Sequence, residues 1–141
     1  MPGASADFTP AASGLLLDTT VLIDVLRGRP AVDRLGRMRI GGQRPHVCAI
    51  SVEELWRGVR VAERPGLERL LDGLRIAPLG RRQGEVAGAW RQRYAGAGIT
   101  LSQADCLIAA AAVGVGARLA TGNPRHFPMP EVVVEHWPVG A

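Results

Sequence analysis

Short apolar bursts alternate along the chain with stretches of helical period, and that alternation sets the expected fold class. Gly14–Asp18 (GLLLD) is a run suited to a strand buried on both faces. Val21, Leu22, Val25 and Leu26 then recur at helical spacing until Gly28 and Pro30 interrupt it. A second amphipathic stretch covers Ala31–Arg39 and ends at Gly41-Gly42. His46–Ile50 (HVCAI) reads as a second strand, followed at once by the helix signal Ser51-Val52-Glu53-Glu54. Helical period runs through Leu55, Val59 and Val61, then restarts after Pro65-Gly66 with Leu67, Leu70, Leu71 and Leu74. Arg75–Leu79 reads as a third strand, with Pro78 near its end, where a missing donor is tolerated. Arg81–Ala97 and Gln103–Val115 read as helices, and Arg118–Thr121 and Glu131–Val134 as the last two strands. Strands alternating with helices predict an α/β sandwich around a mainly parallel five-stranded sheet. The chain of 141 residues suits a single domain, placed over 14–141, after a small, polar, Pro-containing leader over 1–13.

Composition narrows the chemistry. All 17 basic residues are arginine and none is lysine, which removes Schiff-base enzymes and lysine-bearing phosphate loops from consideration. A net charge of +4 permits a phosphate-rich partner, since guanidinium groups hold phosphates in bidentate pairs. An Arg- and Ala-rich composition equally suits a GC-rich genome, so basicity alone decides nothing. Cys48 and Cys106 lie in apolar stretches without metal-type spacing and read as reduced core residues of a cytoplasmic protein. The longest apolar run, LLLDTTVLIDVL, is cut by Asp18 and Asp24 and falls short of a membrane span.

In parallel sheets ligands gather beyond the carboxyl ends of the strands, and that is where this chain carries its acids. Asp18 closes the first strand, Glu54 lies just past the second, Asp105 opens the Ala-rich helix and Asn123 follows the fourth strand. Each has an ordinary structural alternative. Ser51 with Glu54, and Ser102 with Asp105, have capping-box spacing, while Asp18 and Asn123 suit turns. Three converging carboxylates would repel one another, and a hard divalent cation with oxygen ligands, Mg²⁺ or Mn²⁺, would relieve that repulsion. Asp24 reads as a solvated helix residue, and His46, His126 and His136 as surface or structural residues. Trp56 reads as a core or interface residue.

Four segments resemble a known family. LLLDTTVLIDVLRG resembles the opening of PIN-domain ribonucleases, especially the VapC-type toxins of bacterial toxin–antitoxin pairs. ISVEELWRG is similar to their second motif, with Glu54 and not Glu53 as the matching acid. LSQADCLIAAAA resembles the third at Asp105, and ATGNPRHF the fourth at Asn123, with Thr121 two residues ahead. Many PIN nucleases carry aspartate at or near the fourth position, though asparagine is also found among such toxins. The resemblance implies a three-layer α/β/α fold, a homodimer, a VapB-like antitoxin that occludes the site, and metal-dependent endoribonuclease activity on RNA. On that reading Asp18, Glu54 and Asp105 hold Mg²⁺ or Mn²⁺. Asn123 and Thr121 orient water or phosphate, and Arg125 or Arg27 contacts the RNA backbone.

Two other classes fit parts of the pattern: a PIN-like module that binds RNA or protein without cutting, and a receiver-like phosphotransfer domain. The absence of lysine speaks against the second. Leu22, Leu26, Trp56, Val59, Leu67 and Leu71 are candidates for an exposed apolar groove that would take an amphipathic antitoxin helix.

Overall fold

The computed structural model describes residues 14–140, so the expected leader lies outside the described residues. Five strands form one sheet: β1 (Gly14–Leu17), β2 (His46–Cys48), β3 (Arg75–Ala77), β4 (Ala117–Thr121) and β5 (Val134–His136). Six helices connect them: α1 (Thr19–Leu26), α2 (Ala31–Ile40), α3 (Ala49–Gly58), α4 (Arg64–Asp72), α5 (Arg81–Gly96) and α6 (Gln103–Gly114). The spatial order is β3-β2-β1-β4-β5, and every pairing is parallel. The expected three-layer α/β/α architecture is therefore present.

The alternation of side chains along β1 explains the two cores. Leu15 and Leu17 point to one face, where they pack with Val21 and Leu22 of α1, Leu35 of α2 and Leu67 and Leu70 of α4. Leu16 points to the other face, against Trp90 of α5 and the alanines 109–112 of α6. Those four alanines are all buried, and their small side chains let α6 lie close to the sheet. β1 is central and covered on both faces, which is why its sequence is continuously apolar.

Two element boundaries differ from expectation. β2 ends at Cys48, and Ala49 and Ile50 already belong to α3, because the neighbouring β3 gives it pairing partners only through Ala77. The last strand starts at Val134 and not Glu131. Val132 donates its N–H to Met129 in a turn, and the register is set where Leu119 pairs with Val134. A run of three valines cannot encode its own register; the sheet supplies it. No helix among the described residues is long and apolar enough to cross a membrane.

The chain leaves β1 toward β2 on one side and later returns to β4 on the other. The carboxyl ends of β1 and β4 thus flank the point where strand order reverses, the place where open α/β sheets form a crevice.

Candidate active site

Asp18 sits at that crevice. Its backbone N–H still pairs with the Ala120 carbonyl at 2.9 Å, and its side chain caps α1 by accepting from the Thr19 N–H at 2.8 Å. The second carboxylate oxygen accepts from the hydroxyls of Thr121 at 2.7 Å and Thr20 at 3.1 Å. Both hydroxyls are oriented from behind. Thr121 Oγ1 accepts the Asn123 N–H at 2.9 Å and Thr20 Oγ1 accepts the Gly122 N–H at 3.0 Å, leaving each proton for Asp18. Burial raises the Asp18 pKa above the ordinary aspartate value. The three hydrogen bonds oppose that rise, and the Asp105 carboxylate nearby adds to it. Gly122 is needed here for close approach, since a Cβ would stand 2.6 Å from Val139 Cγ2.

Glu54 reaches the same crevice from α3 through Thr19. The Thr19 hydroxyl lies 2.7 Å from Glu54 Oε1 and 2.8 Å from the buried Ser51 Oγ. With one proton of its own, Thr19 donates to the carboxylate and receives the proton of Ser51. The expected Ser51–Glu54 capping box is absent. α3 begins two residues before Ser51, its N-cap is Cys48, and Ser51 is turned inward to Thr19. Glu53 faces away and pairs with Arg57 at 2.9 Å, which leaves Glu54 as the acid of this segment at the crevice.

Asp105 arrives on the first turn of α6. Here the capping expectation is half met: Ser102 is the N-cap and accepts the Asp105 N–H at 3.0 Å. The Asp105 side chain is one-quarter exposed, and its Oδ2 lies 3.4 Å from His126 Nδ1. His126 is exposed, as expected of a surface residue, and also stands beside a site acid. Asn123 is exposed and caps the short 3-10 turn Pro124–His126 without a side-chain cap bond. Arg125 shares a cleft of about 440 Å³ with Asp105 and His126. Arg27 shares a smaller one, about 110 Å³, with Glu54.

A model of the PIN domain matches residues 15–130. Ribonuclease VapC19 of Mycobacterium tuberculosis is 34% identical over 115 residues, covering 81% of this chain and 92% of that protein. Ribonuclease VapC10 of the same organism is 38% identical over 116 residues, covering 82% and 86%. The chain belongs to the PIN-domain family, among the VapC-type proteins. The fold is shared with solved complexes as well. DNA-bound VapBC from Salmonella typhimurium aligns with a TM-score of 0.77 at 24% identity, over 88% of this chain and 98% of that one. FitAcB from Neisseria gonorrhoeae aligns at 0.70 with 25% identity, over 85% and 95%.

The PIN-type crevice offers hard oxygen donors, the chemistry that suits Mg²⁺ or Mn²⁺. Among the described residues, no three His, Cys, Asp or Glu groups stand close enough to enclose an ion by themselves. That arrangement fits a small cation that keeps several waters and binds through one or two carboxylates. Asp18 and Asp105 feel each other's charge, so a cation between them has a physical purpose.

Three residues escaped the sequence reading. Thr19 and Thr20 follow Asp18 directly, and two hydroxyls at the start of a helix after a strand-end acid were the available signal. Asp24 is buried, contrary to expectation: it accepts from the N–H groups of Ala31 at 3.0 Å and Gly140 at 2.9 Å. The start of α2 and the C-terminal residues together supply its donors. Of the six groove candidates, Leu22 and Leu67 are core residues. Leu26 and Val59 line the 110 Å³ cleft beside Glu54, and Trp56 is 39% exposed.

Proposed function

We propose that this chain is the toxin of a toxin–antitoxin pair and acts as a metal-dependent endoribonuclease, with a VapB-like antitoxin as its partner. The observation that carries the reading is the buried Asp18 carboxylate. It is held by three hydrogen bonds and raised in pKa, with Asp105 beside it and Glu54 linked to it through Thr19. A carboxylate placed like this stores electrostatic cost that a divalent cation and a phosphate would relieve. Asp18, Glu54 and Asp105 would hold Mg²⁺ or Mn²⁺, which supplies charge neutralisation at phosphate and a more acidic water.

The chain's own groups do the rest. Thr121 and Thr20 favour the ionised form of Asp18 by donating to it, against the effect of burial, and Thr19 aims Glu54. Asn123, exposed at the end of β4, offers an amide to orient the phosphate or the attacking water. Arg27, beside Glu54, holds a flanking backbone phosphate by charge, and Arg125 lies on the Asp105 side of the crevice. Attack in line on phosphorus then needs no histidine base. The names of the relatives, ribonucleases VapC19 and VapC10, support RNA as the substrate. The VapBC complexes among the structural neighbours support the antitoxin. The antitoxin would lay an amphipathic helix over the cleft formed by Leu26, Val59 and Glu54. A homodimer is the proposed assembly, checked by light scattering.

The test is cleavage of total RNA with Mg²⁺, Mn²⁺ or EDTA, the new 5′ ends being sequenced. Cutting with either metal, lost in EDTA and in Asp18→Asn, is the expected result. No cutting under any condition overturns it. The alternative is a non-catalytic PIN-like module that binds RNA or protein. RNA binding without measurable Mg²⁺ or Mn²⁺ affinity would establish that alternative.

A further inference from the structure

The cleft beside Asp105 is built for more than a phosphate. Its volume is about 440 Å³, within the range of small-ligand sites, and it opens between the loop that precedes α6 and the turn that follows β4. Ile99 and Pro128 supply apolar surface on opposite sides, and Ile99 is 45% exposed with no partner to explain it. The polar lining includes Thr100, Ser102, Arg125 and His126. No carboxylate among the described residues lies within ion-pair distance of Arg125.

Both walls are fastened to one residue of α5. The Tyr94 carbonyl accepts the Ile99 N–H at 2.9 Å, and the Tyr94 hydroxyl donates to the Pro128 carbonyl at 3.0 Å. Arg91 adds a third tie, donating to the Leu101 carbonyl at 3.1 Å. The cleft is thus held open before anything binds, which lowers the ordering cost of occupying it. His126 lines the cleft as an exposed side chain, with Nδ1 3.4 Å from Asp105 Oδ2.

We infer that this cleft seats the base of the RNA nucleotide flanking the scissile phosphate, and that Arg125 and His126 select that base. The inference rests on the ribonuclease reading, since only a nucleic-acid substrate brings a base next to Asp105. The apolar surface of Ile99 and Pro128 can cover the faces of a base, and single-stranded RNA offers its bases unstacked and readable at their edges. A guanidinium fork matches an edge with two adjacent acceptors, such as O6/N7 of guanine or O2/N3 of cytosine, and of these two the purine fills more of the 440 Å³ cleft. The fitting occupant is guanine.

The test uses short single-stranded RNAs that differ only in one base, bound in EDTA and followed by fluorescence anisotropy. It is paired with end-sequencing of a randomised RNA pool cut in Mg²⁺ or Mn²⁺. The wild type is expected to prefer guanine by about tenfold. Arg125→Ala and His126→Ala should erase that preference, in binding and at the position next to the cut. Tyr94→Phe should weaken it severalfold. Arg82→Ala, the same loss of charge on α5 away from the cleft, should leave the preference intact. Equal binding of all four bases by the wild type, or an unchanged preference in both cleft variants, overturns the proposal. If RNA is cut while the preference is unmoved, the subsite is wrong and the ribonuclease reading stands. If the preference moves as expected and nothing is cut, the subsite stands and the ribonuclease reading falls.

Discussion

Asp18 and Asp24 stand at opposite ends of α1, almost equally buried at 4% and 2% exposure, and they are held by different kinds of donor. Asp24 takes backbone N–H groups alone, from Ala31 at the start of α2 and from Gly140 near the C-terminus. It ties three separate parts of the chain together. Asp18 takes one backbone N–H and two threonine hydroxyls, and Asp105 adds a second negative charge nearby. Hydroxyls can rotate and exchange partners, whereas backbone N–H groups cannot. A buried acid fixed by backbone donors is a structural clamp. One cushioned by hydroxyls beside another acid is arranged to meet an incoming cation.

The contrast is tested first by removing charge at Asp18. Asp18→Asn should lower RNA cleavage by roughly a hundredfold or more, because a neutral amide replaces the carboxylate a hard cation requires. Its melting temperature at neutral pH, without added metal, should not fall below that of the wild type. Cleavage at the wild-type rate would reduce Asp18 to a helix cap. Asp24→Ala should do the opposite. One buried and one part-buried N–H group lose their acceptor, for a loss of about 2–4 kcal/mol in urea unfolding, with cleavage per folded molecule retained. An Asp24→Ala protein of normal stability that no longer cuts would erase the distinction.

Next in size is the pH dependence of stability. The native state holds the Asp18 proton more tightly than the unfolded chain does, because the pKa is raised above 3.8. Stability should therefore fall as pH rises from that value through the raised one, then level off. Asp18→Asn lacks this component, so the wild-type melting temperature should drop relative to that of the variant across the same window. Mg²⁺ added at neutral pH should restore it in the wild type and not in the variant. A difference independent of both pH and Mg²⁺ would show that Asp18 carries no stored charge cost. The smallest effect is expected from Thr121→Val, which removes one donor to Asp18 and the acceptor of the Asn123 N–H. It should cost about 1 kcal/mol in stability and move the acid limb of the cleavage profile to higher pH. An acid limb at its wild-type position would mean that Thr121 only packs.

Much of this contrast was legible before folding was considered, and some of it was misread. Breaks in the apolar runs point to Asp18, Glu54, Asp105 and Asn123; Asp18 and Asn123 lie just past β1 and β4, while Glu54 comes from within α3 and Asp105 from the first turn of α6. Ser51 was read as a cap because its spacing to Glu54 allows one, yet α3 starts earlier and Ser51 serves Thr19. His126 carried no local signal, since its neighbour Asp105 is 21 positions earlier in the chain. Asp24 looked like a solvated helix residue because its partner Gly140 is 116 positions away.

The periodic pattern by itself determined the order of strands and helices, their approximate ends and the positions of the acids. Those features depend on neighbours within a turn or a strand of one another. Tertiary structure alone decided the register of β5, the burial of Asp24, the turn of Ser51 toward Thr19 and the hydroxyls that hold Asp18. The Thr121 bond to Asp18 spans 103 positions and the Thr19–Ser51 contact spans 32. No local period encodes which oxygen meets which proton over such distances. That pairing is settled when the sheet closes and every buried polar group must find a partner.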